Sequence, residues 1–161
     1  PEHGQLNKDF TYPNTGRTAN QLVTADTVDL LAAPLQDDPS NLIRFPSPSD
    51  LGESLDTRAR AYLHSNCAGC HRPGGPTPSS MDLRFTTTLA NTNTCNVAPT
   101  SGDLDIAGAM IVAPGNTAQS VLIQRVNRRD VHGMPPLGST IVDAAGLSLL
   151  TDWVNSLAGC P

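Results

Sequence analysis

Apolar positions recur at helical spacing in four places along the chain, and proline, glycine and small polar residues interrupt them everywhere else. The best-formed pattern lies near the end. Leu147, Leu150, Val154 and Leu157 follow at intervals of three and four behind Asp143, which predicts an amphipathic helix with Gly159 closing it. A second starts after Ser54, a good N-cap residue, and carries Leu55, Ala59, Tyr62 and Leu63 on one face. A third is expected over residues 117–127, capped by Asn116 or Thr117, with Val121, Leu122 and Val126 facing inward. The fourth, over residues 25–33 with Thr24 as cap, places Val28, Leu31 and Leu35 on one side.

Between these segments the chain is expected to lack regular structure. Pro13, Pro34, Pro39, Pro46 and Pro48 cut residues 1–50 into short pieces, which read as an extended N-terminal arm lying on the following domain or on another chain. Residues 72–99 are rich in Pro, Gly, Thr and Asn and predict a long loop with at most a short strand over 82–86. Residues 51–161 then form one domain, and the fold class expected is mainly α.

Charge and composition narrow the function classes. The formal charge is −5, and the ten Lys and Arg form no long run; Arg125 with Arg128 and Arg129 is too small a group for a phosphate-binding face, so a nucleic-acid role is not expected. The longest apolar run, residues 106–113, is broken by Gly108 and falls far short of the roughly 18 residues a membrane span requires. The sequence starts at Pro1 without a leader pattern, so an export signal has been removed or was not included, and its absence does not argue for the cytoplasm.

One motif carries chemistry. Cys67-Ala68-Gly69-Cys70-His71 sets two thiols three residues apart with an imidazole directly after the second, the pattern for c-type haem attachment. Both thiols can reach the vinyl groups on one porphyrin edge as thioethers, the adjacent His is carried beneath the iron, and small Ala68 and Gly69 let the backbone approach the ring. Aromatic residues make up only 4% of the chain, and a buried porphyrin would supply the missing bulk, although an aliphatic core could do so alone. Three other readings compete. A zinc site would need a fourth ligand, perhaps Cys95, and two adjacent ligands on one ion. A thioredoxin-like pair would need alternating strands and helices, which the pattern lacks. A disulfide within the motif is the third.

Iron held this way usually takes a second axial ligand, most often methionine. Met134 leads because Pro135 and Pro136 follow it and restrict the loop. Met81 and Met110 are alternatives, with Met110 read as core. His64 could also ligate but falls on the polar face of its helix, and His132 is too near Met134 for both to be poised alike; each reads as a surface residue. If Cys67 and Cys70 become thioethers, Cys95 and Cys160 are left for one bridge, which implies an oxidising compartment; two buried free thiols are the other reading.

The run Arg58-Ala59-Arg60-Ala61-Tyr62-Leu63 and the CAGCHRPGG around the motif resemble the class I cytochrome c-like modules of bacterial exported proteins, found alone or fused to β-propellers of the sugar-dehydrogenase type. Ala113-Pro114-Gly115, Ser120 to Arg125, Met134-Pro135-Pro136-Leu137-Gly138 and Asp152-Trp153-Val154 extend the likeness over residues 50–161. The resemblance implies a cytochrome c fold, one covalent haem c on Cys67 and Cys70, His71 as proximal and Met134 as distal ligand, and a periplasmic or extracellular location. His71 and Met134 stand 63 positions apart (134 minus 71), so a long loop insertion around Cys95 is expected.

The function these readings favour is single-electron transfer by a monohaem c-type cytochrome that is not itself an enzyme. Its partners would be a redox donor and an acceptor, with a homo-oligomer or a dehydrogenase fusion as settings. A haem enzyme or gas sensor with an open sixth position is the alternative, though no distal His and Arg pair is evident; a haem-bearing assembly subunit is another.

Overall fold

The computed structural model describes residues 3–161, and the chain divides into two units, residues 1–46 and 47–161. In the first, α1 (His3–Leu6) leads into an antiparallel hairpin of β1 (Asp9–Tyr12) and β2 (Arg17–Asn20), with Asp9 opposite Asn20 and Tyr12 opposite Arg17. Asn20 ends the hairpin and caps α2 (Gln21–Thr27), its Oδ1 accepting from Leu22 N at 2.9 Å and Val23 N at 3.4 Å. Its Nδ2 donates to Asn7 Oδ1 at 2.9 Å, and Asn7 Nδ2 donates onward to Pro39 O and Leu42 O at 2.7 and 3.1 Å. Residues read as an extended arm therefore form a unit with its own polar hub and a fully buried Leu22. The helix expected over 25–33 begins earlier because Asn20, not Thr24, supplies the cap, and it stops before Asp29, whose φ of 54° is left-handed.

The second unit is built on α3 (Leu55–Cys67) and α5 (Ala144–Ser156), which pack together, with the short α4 (Val121–Val126) against α5. Both long helices start where their caps predict: Ser54 Oγ accepts from Thr57 N at 3.0 Å, and Asp143 Oδ1 from Gly146 N at 3.0 Å. Ala59 and Leu63 of α3 meet Leu149, Leu150, Trp153 and Val154 of α5 in a core completed by Val112, Ile123 and Val126. Each large side chain buried there contributes about 1.5–3 kcal/mol. Gly146 sets the approach of the two helices, since a Cβ there would lie 2.2 Å from the Tyr62 ring. Trp153, 2% exposed, satisfies its indole by donating to Asp56 Oδ1 at 2.9 Å.

The mainly α cytochrome c fold expected from the pattern and the resemblance is corrected: helix accounts for only 31% of the structure and strand for 8%. Three local causes reduce the helix. Residues 68–120 hold a single 3-10 turn, Leu89–Asn91, and two isolated bridges, Cys95 with Val112 and Met110 with Ser120. The helix expected over 117–127 starts only at Val121, because the Ser120 hydroxyl is buried in a turn, donating to Asn116 O at 2.8 Å and accepting from Ala113 N at 2.9 Å. Finally, α5 ends at Ser156 with Leu157 already extended, before Gly159 is reached.

Where a strand was expected over 82–86, Asp82 organises a turn. Its carboxylate accepts from Arg84 Nε and Nη2 at 2.9 and 2.7 Å and from Thr87 Oγ1 at 2.9 Å. The Arg84 guanidinium, with Thr87 adding to it, holds the Asp82 carboxyl well below the usual carboxylate range. A depressed folded pKa contributes stability above the unfolded value and loses it as pH falls through the folded one. Asp82→Asn is therefore expected to cost about 1–2 kcal/mol at neutral pH, discounted for the half-exposed Arg84. The cost should vanish in strong acid, which urea titrations at several pH values measure; an equal cost at every pH would contradict it.

Candidate functional site

The cysteine motif begins on the last residue of α3 and is held by that helix's end. His71 N and Cys70 N both donate to Cys67 O, at 2.8 and 3.1 Å, so one turn gathers both thiols and the imidazole. The His71 carbonyl accepts from Leu83 N at 2.9 Å, which ties the motif to the following loop. Cys67 packs against the apolar core, while Cys70 is exposed.

The electrostatics of the turn suit neutral groups. Burial, and then the neighbouring Cys70, pushes the Cys67 thiol up to about 12, so a thiolate is strongly disfavoured there. Burial also lowers the His71 pKa, and its Nδ1 is buried without a hydrogen-bond partner among the described residues. A neutral imidazole is the form that gives a lone pair to a metal. Cys67 sulfur held against an apolar cluster suits an uncharged thioether. Cys95 is bonded to Cys160, as the pairing by elimination expected, so it cannot serve as a fourth zinc ligand. Cys67 and Cys70 are not bonded to each other. This donor set of two free thiols and one neutral imidazole in a single turn fits a covalently attached haem.

Met134 lies on the loop between α4 and α5, 63 positions beyond His71 in sequence. Its N donates to Arg125 O at 2.9 Å, and its carbonyl accepts from Arg129 Nη1 at 3.3 Å. Tyr62 donates to Asp143 Oδ2 at 3.0 Å, and its phenol is raised mainly by burial, then by Asp143. The Asp143 carboxyl is held low chiefly by the Gly146 N–H, with smaller help from Tyr62 and Arg129.

The other candidates have different surroundings. Met81, half-buried, lines a small cleft with Leu63, Leu83, Val112, Leu122 and Trp153. Met110, half-buried, belongs to a bridge in which its N donates to Gln119 O at 3.0 Å and its carbonyl accepts from Val121 N at 2.8 Å. His132 is exposed as expected. His64 is not: it is 6% exposed, and its Nδ1 accepts from Phe85 N at 2.9 Å. Arg60, one turn earlier, donates from Nη2 to Phe85 O at 2.8 Å and to Thr87 O, so this side of α3 holds the 82–87 turn instead of facing water. Arg129, read from the sequence only as part of a small basic group, donates to the carbonyls of Val126, Arg128, Met134 and Ile141.

No family model, curated protein or solved structure matches the chain. Among the described residues, no helix is long and apolar enough to cross a membrane, and no group of three or more His, Cys, Asp or Glu side chains could hold a metal ion.

Proposed function

We propose that this chain is a c-type haem protein that passes single electrons, with one haem on Cys67 and Cys70 and with His71 and Met134 as the iron's axial ligands. The observation that carries the reading is the turn at the end of α3, where two thiols outside any disulfide stand with an imidazole whose Nδ1 is buried without a hydrogen-bond partner among the described residues. Bound haem supplies a centre that changes between ferrous and ferric states, and paired His and Met ligation favours a raised potential. The protein's part is positional. Cys67 and Cys70 hold one edge of the group, the apolar core beneath Cys67 excludes water, and the tethered Met134 loop brings a weak thioether ligand.

An electron carrier needs a donor and an acceptor, and a charge of −5 favours partners with a basic docking face, through contacts that salt weakens. The Cys95–Cys160 bridge and covalent haem both suit a periplasmic or extracellular setting, free, self-associated or fused to a dehydrogenase. A pyridine haemochrome assay on denatured protein tests the reading. One haem per chain that survives acid-acetone extraction is expected, and the reduced native protein should not bind carbon monoxide. Complete loss of haem on extraction would end the proposal.

A further inference from the structure

The loop between α4 and α5 is drawn together by one side chain. Arg129 Nη1 donates to Val126 O at 2.9 Å, to Arg128 O at 2.6 Å and to Met134 O at 3.3 Å, while its Nε donates to Ile141 O at 3.2 Å. A single guanidinium thus ties the end of α4, the middle of the loop and the approach to α5. Only Arg offers several N–H groups in a fixed plane; a Lys ammonium would keep the charge and lose the fork.

Gly133 gives the same loop a second constraint. Its N donates to Asp130 O at 2.9 Å, and a Cβ at this position would lie 2.5 Å from Arg128 O. The backbone passes so close to the end of α4 that a side chain cannot fit without moving it. Met134, the next residue, is therefore held by its own N–H on Arg125 O, by its carbonyl on Arg129 and by the tight passage at Gly133.

We infer that Arg129 is the positioning residue that keeps Met134 in place as a ligand, with Gly133 permitting the close passage that brings the loop within its reach. The inference rests on the proposed ligation of iron by Met134. A thioether binds weakly, so its occupancy depends on how little freedom the loop retains once bound. Removing the fork leaves the thioether intact and loosens its carrier, which lets an added ligand compete better.

The test uses the haem-loaded chain and two readouts: the far-red charge-transfer band of methionine-bound ferric haem and the affinity of ferric protein for imidazole. Met134→Ala should lose the band and keep its haem. Arg129→Lys should keep its haem, show a weakened band and bind imidazole at least about tenfold more tightly, the factor expected from losing a charge-assisted hydrogen bond. A lower melting temperature with parent-like imidazole affinity would mark a purely structural role and overturn the inference. If the parent lacks the band, or Met134→Ala retains it, the ligand assignment itself fails and the inference with it. Should Arg129→Lys not accumulate with haem, Gly133→Ala displaces the same loop without touching the guanidinium. The same two changes are expected there, and parent-like behaviour would overturn the inference.

Discussion

A chain with alanine at both Cys67 and Cys70 is expected to carry no covalent haem at all. Each thioether is a separate bond, so either single variant should retain a reduced, heterogeneous fraction and only the pair should abolish attachment. Haem staining after denaturing electrophoresis, with the haemochrome assay, measures this directly. The two positions should also differ before any haem is attached. Cys67 packs against the apolar core cluster, whereas Cys70 is exposed. A hydroxyl at the first place loses water without an assured partner, at a cost of about 1–3 kcal/mol, and at the second it stays solvated. Cys67→Ser should therefore destabilise the haem-free chain and Cys70→Ser should not. Equal and full haem retention by the double alanine variant would mean that the motif does not attach the group.

What the sequence reveals is what local chemistry decides. Ser54 and Asp143 cap the two long helices because each needs only a backbone N–H three residues on, and the apolar spacing of Ala59, Leu63, Leu150 and Val154 points to the face that becomes the core. The misplacements come from competition between similar signals. Asn20 and Thr24 are both cap residues, and the hairpin ending at Asn20 decides between them; Asn14-Thr15-Gly16 between Phe10, Tyr12 and Thr18 was the turn signal for that hairpin. A helical wheel distinguishes only polar from apolar and so places His64 in solvent, yet the 82–87 turn folds over that polar face and the Phe85 N–H donates to the imidazole. The mainly α expectation failed for a related reason. Four helical patterns are present, but two yield helices of only six or seven residues, and the long connections between them keep their own hydrogen bonds. The cysteine motif is contiguous and so stands in the sequence itself, whereas Arg129 reads only as part of a small basic group until the loop closes around it.

Opening the Cys95–Cys160 bridge should produce a large loss of stability. The bridge spans 65 positions, from the long middle loop to the residue beside the chain's last. In the chain-entropy model, closing a loop of that length removes enough freedom from the unfolded chain to be worth about 4 kcal/mol. The folded ends are held near each other by other means as well. Asn96 N donates to Val112 O at 2.9 Å, Val112 N to Thr94 O at 3.1 Å, and Gly115 N to Val154 O at 2.9 Å, so the loop beside Cys95 stays joined through residues 112–115 to α5. The native arrangement should therefore survive Cys95→Ala with Cys160→Ala, and the loss should appear mainly as a more expanded unfolded state. Urea unfolding at neutral pH is expected to show a midpoint well below the parent's, with a slope that does not fall, since the unbridged chain exposes at least as much surface. Haem content and the far-red methionine band should stay as in the parent, because neither cysteine belongs to the proposed site. Dithiothreitol should lower the parent's midpoint to that of the double variant and leave the variant unchanged. A parent whose midpoint is indifferent to the reductant, with both sulfurs alkylated without it, would show that the bridge does not form in the protein as made.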